Sequence, residues 1–110
     1  MKKLLPDMIP AVSTLIEALN EKNFNLAISC FTSQTIVRDG GYDYTGIEKM
    51  TDWWHQRATL NSQMKIGDAF EEDGFVVVKI TGNENLSRRP VAFDFRFTFV
   101  NDKISTLDIS

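Results

Sequence analysis

LIEALNEKNFNLAISCFTSQTIVRD, residues Leu15 to Asp39, is the stretch whose reading decides the fold. It reads as the end of one helix, a second short helix, and a strand that finishes on a carboxylate. Asn20-Glu21-Lys22-Asn23 is a polar break, and Asn23 can cap a helix over 24–32 whose face is Phe24, Ala27, Ile28 and Phe31. Thr35-Ile36-Val37-Arg38 is short and β-branched, which favours a strand. Asp39-Gly40-Gly41 is a hairpin-turn signal, with Tyr42 to Tyr44 returning.

Upstream, Ile9, Val12, Ile16 and Leu19 recur at helical spacing, widened by Leu15. This predicts a first helix over 7–20, with Asp7 as N-cap and Pro10 in the first turn. Downstream, Thr45-Gly46-Ile47-Glu48 fits the capping-box pattern and predicts a third helix over 46–60. Its expected buried stripe is Ile47, Met50, Trp54 and Ala58, flanked by Trp53, His55 and Arg57. Near Gln63 the period changes from helical to alternating. Met64 to Phe70, Phe75 to Thr81, Val91 to Val100 and Lys103 to Ile109 read as strands, with Val91, Phe93, Phe95, Phe97 and Phe99 on one face. Helices first and antiparallel strands last is the α+β pattern: three N-terminal helices wrapped by a curved mixed sheet. Because Val77 has the opposite parity to Val76, Val78 and Ile80, the outer face with Phe75, Val77 and Ala92 also carries apolar groups, which predicts a homodimer through that face.

A length of 110 residues fits one domain, 1–110, with a core that needs no staple. Apolar residues make up 43% and charged ones 25%, so the balance is globular. The net charge is −3 with both signs mixed along the chain, which argues against nucleic acid as a partner. Pro6, Asp7 and Pro10 interrupt the opening apolar residues, and no run is long enough to span a membrane, so the expectation is a cytoplasmic protein without a membrane partner. Cys30 is the one cysteine and lies in an apolar run, where a buried, inert thiol is the ordinary outcome.

ALNEKNFNLAISCFTSQTIVRDGG, YTGIEKMTDWW, KITGN and FRFTFVNDKISTLDI, in that order, resemble blocks of the nuclear transport factor 2-like, cystatin-like cone-shaped α+β proteins. That group includes ketosteroid isomerases, SnoaL-like polyketide cyclases and scytalone dehydratase. The SnoaL-like branch is the better match, through YTGIEKMTDWW and the last two strands. The resemblance implies a cone pocket for a small, mostly apolar ligand and, if the protein is an enzyme, a cofactor-independent isomerase, lyase or cyclase with an aspartate base. Asp39 falls where the ketosteroid isomerases place that base. Their oxyanion-hole tyrosine would fall at Leu15, a departure that removes the main donor to a developing enolate. Their second oxyanion residue would fall at Asp94 or, with a one-residue slip, at Phe93; the alternation points Asp94 away from the pocket.

The candidates each have a plainer reading. Asp39 in an apolar pocket would have its charged form desolvated and could abstract a proton; equally, Asp-Gly-Gly could be a hairpin turn and nothing more. His55, the sole histidine, has no partner at metal-ligand spacing; it could serve as general acid or base, or sit half-buried on a helix. Trp54, Tyr44, Phe95 and Leu15 are the expected walls of a ligand cavity, with Trp53 and Tyr42 as further aromatics, although aromatics at such spacing also build plain cores. Arg57, Arg96 and the pair Arg88-Arg89 could bind an anionic ligand, although scattered single charges are mostly solvated surface. The alternative function is a non-catalytic dimerisation or interaction module with the cone filled by side chains.

Overall fold

The computed structural model describes residues 3–5, 7–58, 63–83 and 90–110. Among these residues three helices, α1 (Pro10–Glu21), α2 (Phe24–Ile28) and α3 (Gly46–Ala58), pack on a curved, unclosed sheet of seven strands. The strands are β1 (Lys3–Leu5), β2 (Phe31–Asp39), β3 (Tyr42–Thr45), β4 (Met64–Glu72), β5 (Phe75–Asn83), β6 (Pro90–Val100) and β7 (Lys103–Ile109). Their spatial order is β1-β4-β5-β6-β7-β2-β3, antiparallel except for the parallel pair β2–β7. The α+β architecture and the mixed sheet are as the periodicity predicts.

Several boundaries differ. Helix α1 starts at Pro10 with Ile9 as its N-cap and no side-chain cap, so Asp7 does not cap it; proline suits the first helical position because its missing N–H has no partner there anyway. Asn23 does cap α2, accepting from Leu26 N at 3.1 Å. That helix ends at Ile28 rather than continuing to residue 32, because Phe31 already pairs with Ile104 of β7 and the ladder wins over helical propensity. Strand β1, absent from the sequence reading, pairs with the edge of β4 through Leu4↔Phe70. The expected extension of α3 to Leu60 and the Arg88-Arg89 pair lie outside the described residues, as do the side chains of Arg57 and Ala58.

The core lies between the helices and the concave face. Val12, Leu15 and Ala18 of α1, Val78 and Ile80 of β5, Phe95 and Phe97 of β6, and Ile104 and Leu107 of β7 are fully enclosed. Removing each large apolar side chain from water is worth about 1.5–3 kcal/mol, so this layer dominates stability. Helix α1 is also clamped to β4: the Asn20 side chain donates to Met64 O at 2.9 Å and accepts from Met64 N at 2.7 Å, so its amide imitates a neighbouring strand.

On the convex face one cross-strand row runs Leu4, Phe70, Val77, Arg96, Asp108, Arg38, Asp43. Its first part is apolar and its second alternates in charge, with Arg38 reaching Asp108 at 3.4 Å and Asp43 at 3.5 Å. Val77 is already buried within the single chain, while Phe75 is half-buried and Ala92 exposed, so the outer apolar surface centres on Leu4, Phe70 and Phe75. Arg96 lies over the Phe75 ring at 4.8 Å, and its buried Nε has no hydrogen-bond partner among the described residues.

Candidate functional site

Strand parity places Asp39. Thr35 and Val37 are fully buried toward the helices, and Asp39 continues the same alternation at the end of β2. Gly40 and Gly41 both hold positive φ (62° and 85°), the backbone of a tight two-residue hairpin that glycine adopts without cost. The turn reading of Asp-Gly-Gly is therefore correct for the glycines, yet Asp39 itself belongs to the strand. It is half-buried, and its Oδ2 accepts a hydrogen bond from Trp53 Nε1 at 3.0 Å.

Trp53 is the residue that the sequence reading placed only at the flank. Helix α3 buries Met50, Trp53 and Trp54, whereas Ile47, assigned to the stripe, is 60% exposed. The rings form a continuous series: Phe24 lies 5.5 Å from Trp54, Trp54 lies 6.4 Å from Trp53, and Trp53 lies 6.3 Å from Phe31, centroid to centroid. Such tilted pairs add about 0.5–1.5 kcal/mol each beyond their area. Asp39 thus sits at the polar edge of an aromatic cluster and is held by one of its members.

The other expected site residues are dispersed around this pair. Tyr44 is buried on β3, and its hydroxyl donates to Gln56 Oε1 at 3.2 Å. Trp54 is buried against Phe24. Leu15 and Phe95 are fully enclosed in the core. His55 is exposed on α3, and among the described residues no hydrogen bond joins it to Asp39. Tyr42 stands directly opposite Asp39 in the β2–β3 ladder and so shares its face; the residue is 70% exposed. Asp94 pairs with Lys79 at 2.8 Å on the convex face, away from the core, as the alternation predicts. Cys30 is buried, and that burial raises its thiol above the ordinary 9.0, opposed by a hydrogen bond from Ser29 and the charge of Lys103. Among the described residues no group of His, Cys, Asp and Glu side chains could hold a metal ion, and no helix is long and apolar enough to cross a membrane.

The fold is that of the nuclear transport factor 2-like and ketosteroid isomerase-like proteins. No protein-family model and no curated protein matches the sequence. Solved structures do match over nearly the whole chain. A Sinorhizobium meliloti protein provisionally named a polyketide cyclase superposes with a TM-score of 0.81 at 19% identity, covering 96% of this chain and 95% of its own. A Catenulispora acidiphila protein with a ketosteroid isomerase-like fold, solved with trimethylamine, gives 0.76 at 17% identity over 94% and 86%. The epoxide hydrolase/cyclase-like enzyme SalBIII of salinomycin pyran-ring formation gives 0.77 at 15% identity over 90% and 85%. At these identities the likeness establishes the fold alone.

Proposed function

We propose that this protein binds a small, mostly apolar ligand at the mouth of the cone, and that Asp39 is the base of a cofactor-free proton transfer on it. The observation that carries the reading is the Trp53–Asp39 hydrogen bond. A half-buried carboxylate at the edge of an aromatic cluster, with one oxygen fixed by a buried indole, is oriented as a base needs to be. In the simplest chemistry of this kind, Asp39 takes a proton from a carbon next to a carbonyl, the C–H electrons pass to the carbonyl oxygen, and the carboxylic acid returns the proton to another atom. Isomerase, lyase and cyclase reactions share that step. Leu15 provides no donor to the developing oxyanion. Tyr44 already donates to Gln56, so the phenol of Tyr42, opposite Asp39, is the one we assign to that role. Trp54 and Tyr44 form the wall behind the ligand, with Leu15 and Phe95 supporting it from the core; His55, on the exposed side of α3, would exchange protons with solvent. Neighbours of the same fold that were solved with trimethylamine, or that are epoxide hydrolase/cyclase-like, support a small-molecule role for this architecture. Native mass spectrometry with a thermal-shift screen of small apolar carbonyl compounds tests the reading. Stabilisation that Asp39→Asn weakens is expected; identical responses of the two proteins would refute it.

A second reading, a homodimerisation module, is favoured by the convex face. Leu4, Phe70 and Phe75 leave apolar surface there, beside a row in which Arg96, Asp108, Arg38 and Asp43 alternate in sign and could meet an inverted copy of itself. Sedimentation of the wild type and of Phe70→Glu over a concentration series distinguishes a dimer from a monomer.

A further inference from the structure

A cleft of about 300 Å³ lies between the first turn of α3 and the start of β2, away from Asp39. Ile28, Phe31, Met50 and Ile47 supply an apolar lining, and Thr32 and Ser33 form a polar edge. A bulge of β2 borders it. Strand β2 advances from Phe31 to Ile36 while β7 advances only from Ile104 to Thr106, so residues 32–35 bulge out of the ladder. Side chains replace the lost ladder bonds. Thr35, the one fully buried polar residue among those described, accepts from Thr32 N at 2.8 Å and donates to Ile104 O at 2.6 Å, and Thr32 Oγ1 accepts from Gln34 N at 3.1 Å.

With Thr32 engaged in this way, Ser33 is the hydroxyl left at the edge with no hydrogen bond among the described residues. Gly46, at φ 83°, forms part of the wall, and a Cβ there would meet no atom within 4 Å. Ile47 lies over the cleft yet is 60% exposed, an apolar group that a ligand would shield from water.

We infer that this cleft is a second small-molecule site, which takes an apolar molecule of one or two fused rings carrying a single hydroxyl, its ring against Phe31, Met50 and Ile47 and its oxygen on Ser33. The volume is at the lower end of ligand pockets, roughly 300–1,000 Å³, which matches a molecule of this size. Among the described residues the lining carries no charged side chain, which disfavours an ionic one. The inference does not depend on proton transfer at Asp39.

The test is a methyl-detected NMR titration of the full chain with 2-naphthol and with naphthalene. Saturable shifts of the Ile28, Ile47 and Met50 methyls are expected with both. Ser33→Ala should weaken 2-naphthol about three- to tenfold, the worth of one neutral hydrogen bond, and leave naphthalene unchanged. Ile47→Asp, at an exposed helical position, should weaken both by about tenfold or more by placing a charge over the apolar cleft. Asp39→Asn should change neither. Absence of saturation, shifts confined to the methyls of Val37, the ladder partner of Tyr44, equal effects of Ser33→Ala on both probes, or methyl shifts that move with protein concentration alone, as a second copy in the cleft would cause, would each overturn the inference.

Discussion

The indole N–H of Trp53 donates to Oδ2 of Asp39 at 3.0 Å and joins α3 to the last residue of β2. Trp53 is almost wholly buried, and its N–H loses its protein acceptor if the carboxylate is removed. Asp39→Ala should therefore cost about 1–3 kcal/mol of unfolding free energy, the penalty of stranding a buried donor. Asp39→Asn keeps an acceptor oxygen and should cost distinctly less. Urea denaturation of the three proteins measures the order; equal stability of Asp39→Ala and wild type would show that the bond contributes nothing to the fold.

Asn20 carries a second prediction. Its amide satisfies both backbone groups of Met64, across 44 positions of sequence. Asn20→Ala leaves both part-buried groups unpaired, and a loss of about 1–3 kcal/mol is expected. Asn20→Asp keeps only the acceptor and should recover part of it. Hydrogen exchange at Met64 N–H locates the effect: exchange should quicken at that amide in Asn20→Ala before it quickens in β6.

How much of this was legible in the sequence depended on how local the signal was. The turnover from helical to alternating period near Gln63 marks a real boundary, and the Phe93, Phe95 and Phe97 parity names the core face of β6 correctly, because a sheet with one buried face repeats every two residues. Asn23 declares its helix start for the same local reason. Strand β1 is not legible: three residues, Lys3–Leu5, hold their conformation only by pairing with β4. The role of Trp53 was hidden because Trp53 and Trp54 are adjacent in an apolar stripe, and only the angle of α3 against β2 decides which one meets Asp39. The bulge at 32–35 was hidden as well, since a register jump between β2 and β7 depends on a partner some seventy residues away.

Cys30 gives a pH dependence whose sign is fixed. Burial raises its thiol above 9.0 in the folded chain. A group raised on folding lends stability that is fully present below the unfolded value and is lost as pH climbs through the folded one. The stability gap between wild type and Cys30→Ala should accordingly hold steady below 9.0 and narrow as pH rises above it. Urea midpoints of the two proteins along that series check it, and a gap that stays constant would contradict it. Alkylation by iodoacetamide at neutral pH should also be slow until urea unfolds the chain.

The central claim, proton transfer by Asp39, is tested most directly by following the α-protons of 2-tetralone in deuterium oxide by proton NMR. The account predicts that the wild-type protein accelerates their exchange over buffer and that Asp39→Asn, shown to be folded by its circular dichroism, removes about 10²- to 10⁴-fold of that acceleration, the usual contribution of a positioned general base. Exchange at the same rate with wild type, Asp39→Asn and buffer alone would contradict it, and the convex face would then be the part of the molecule that carries its function.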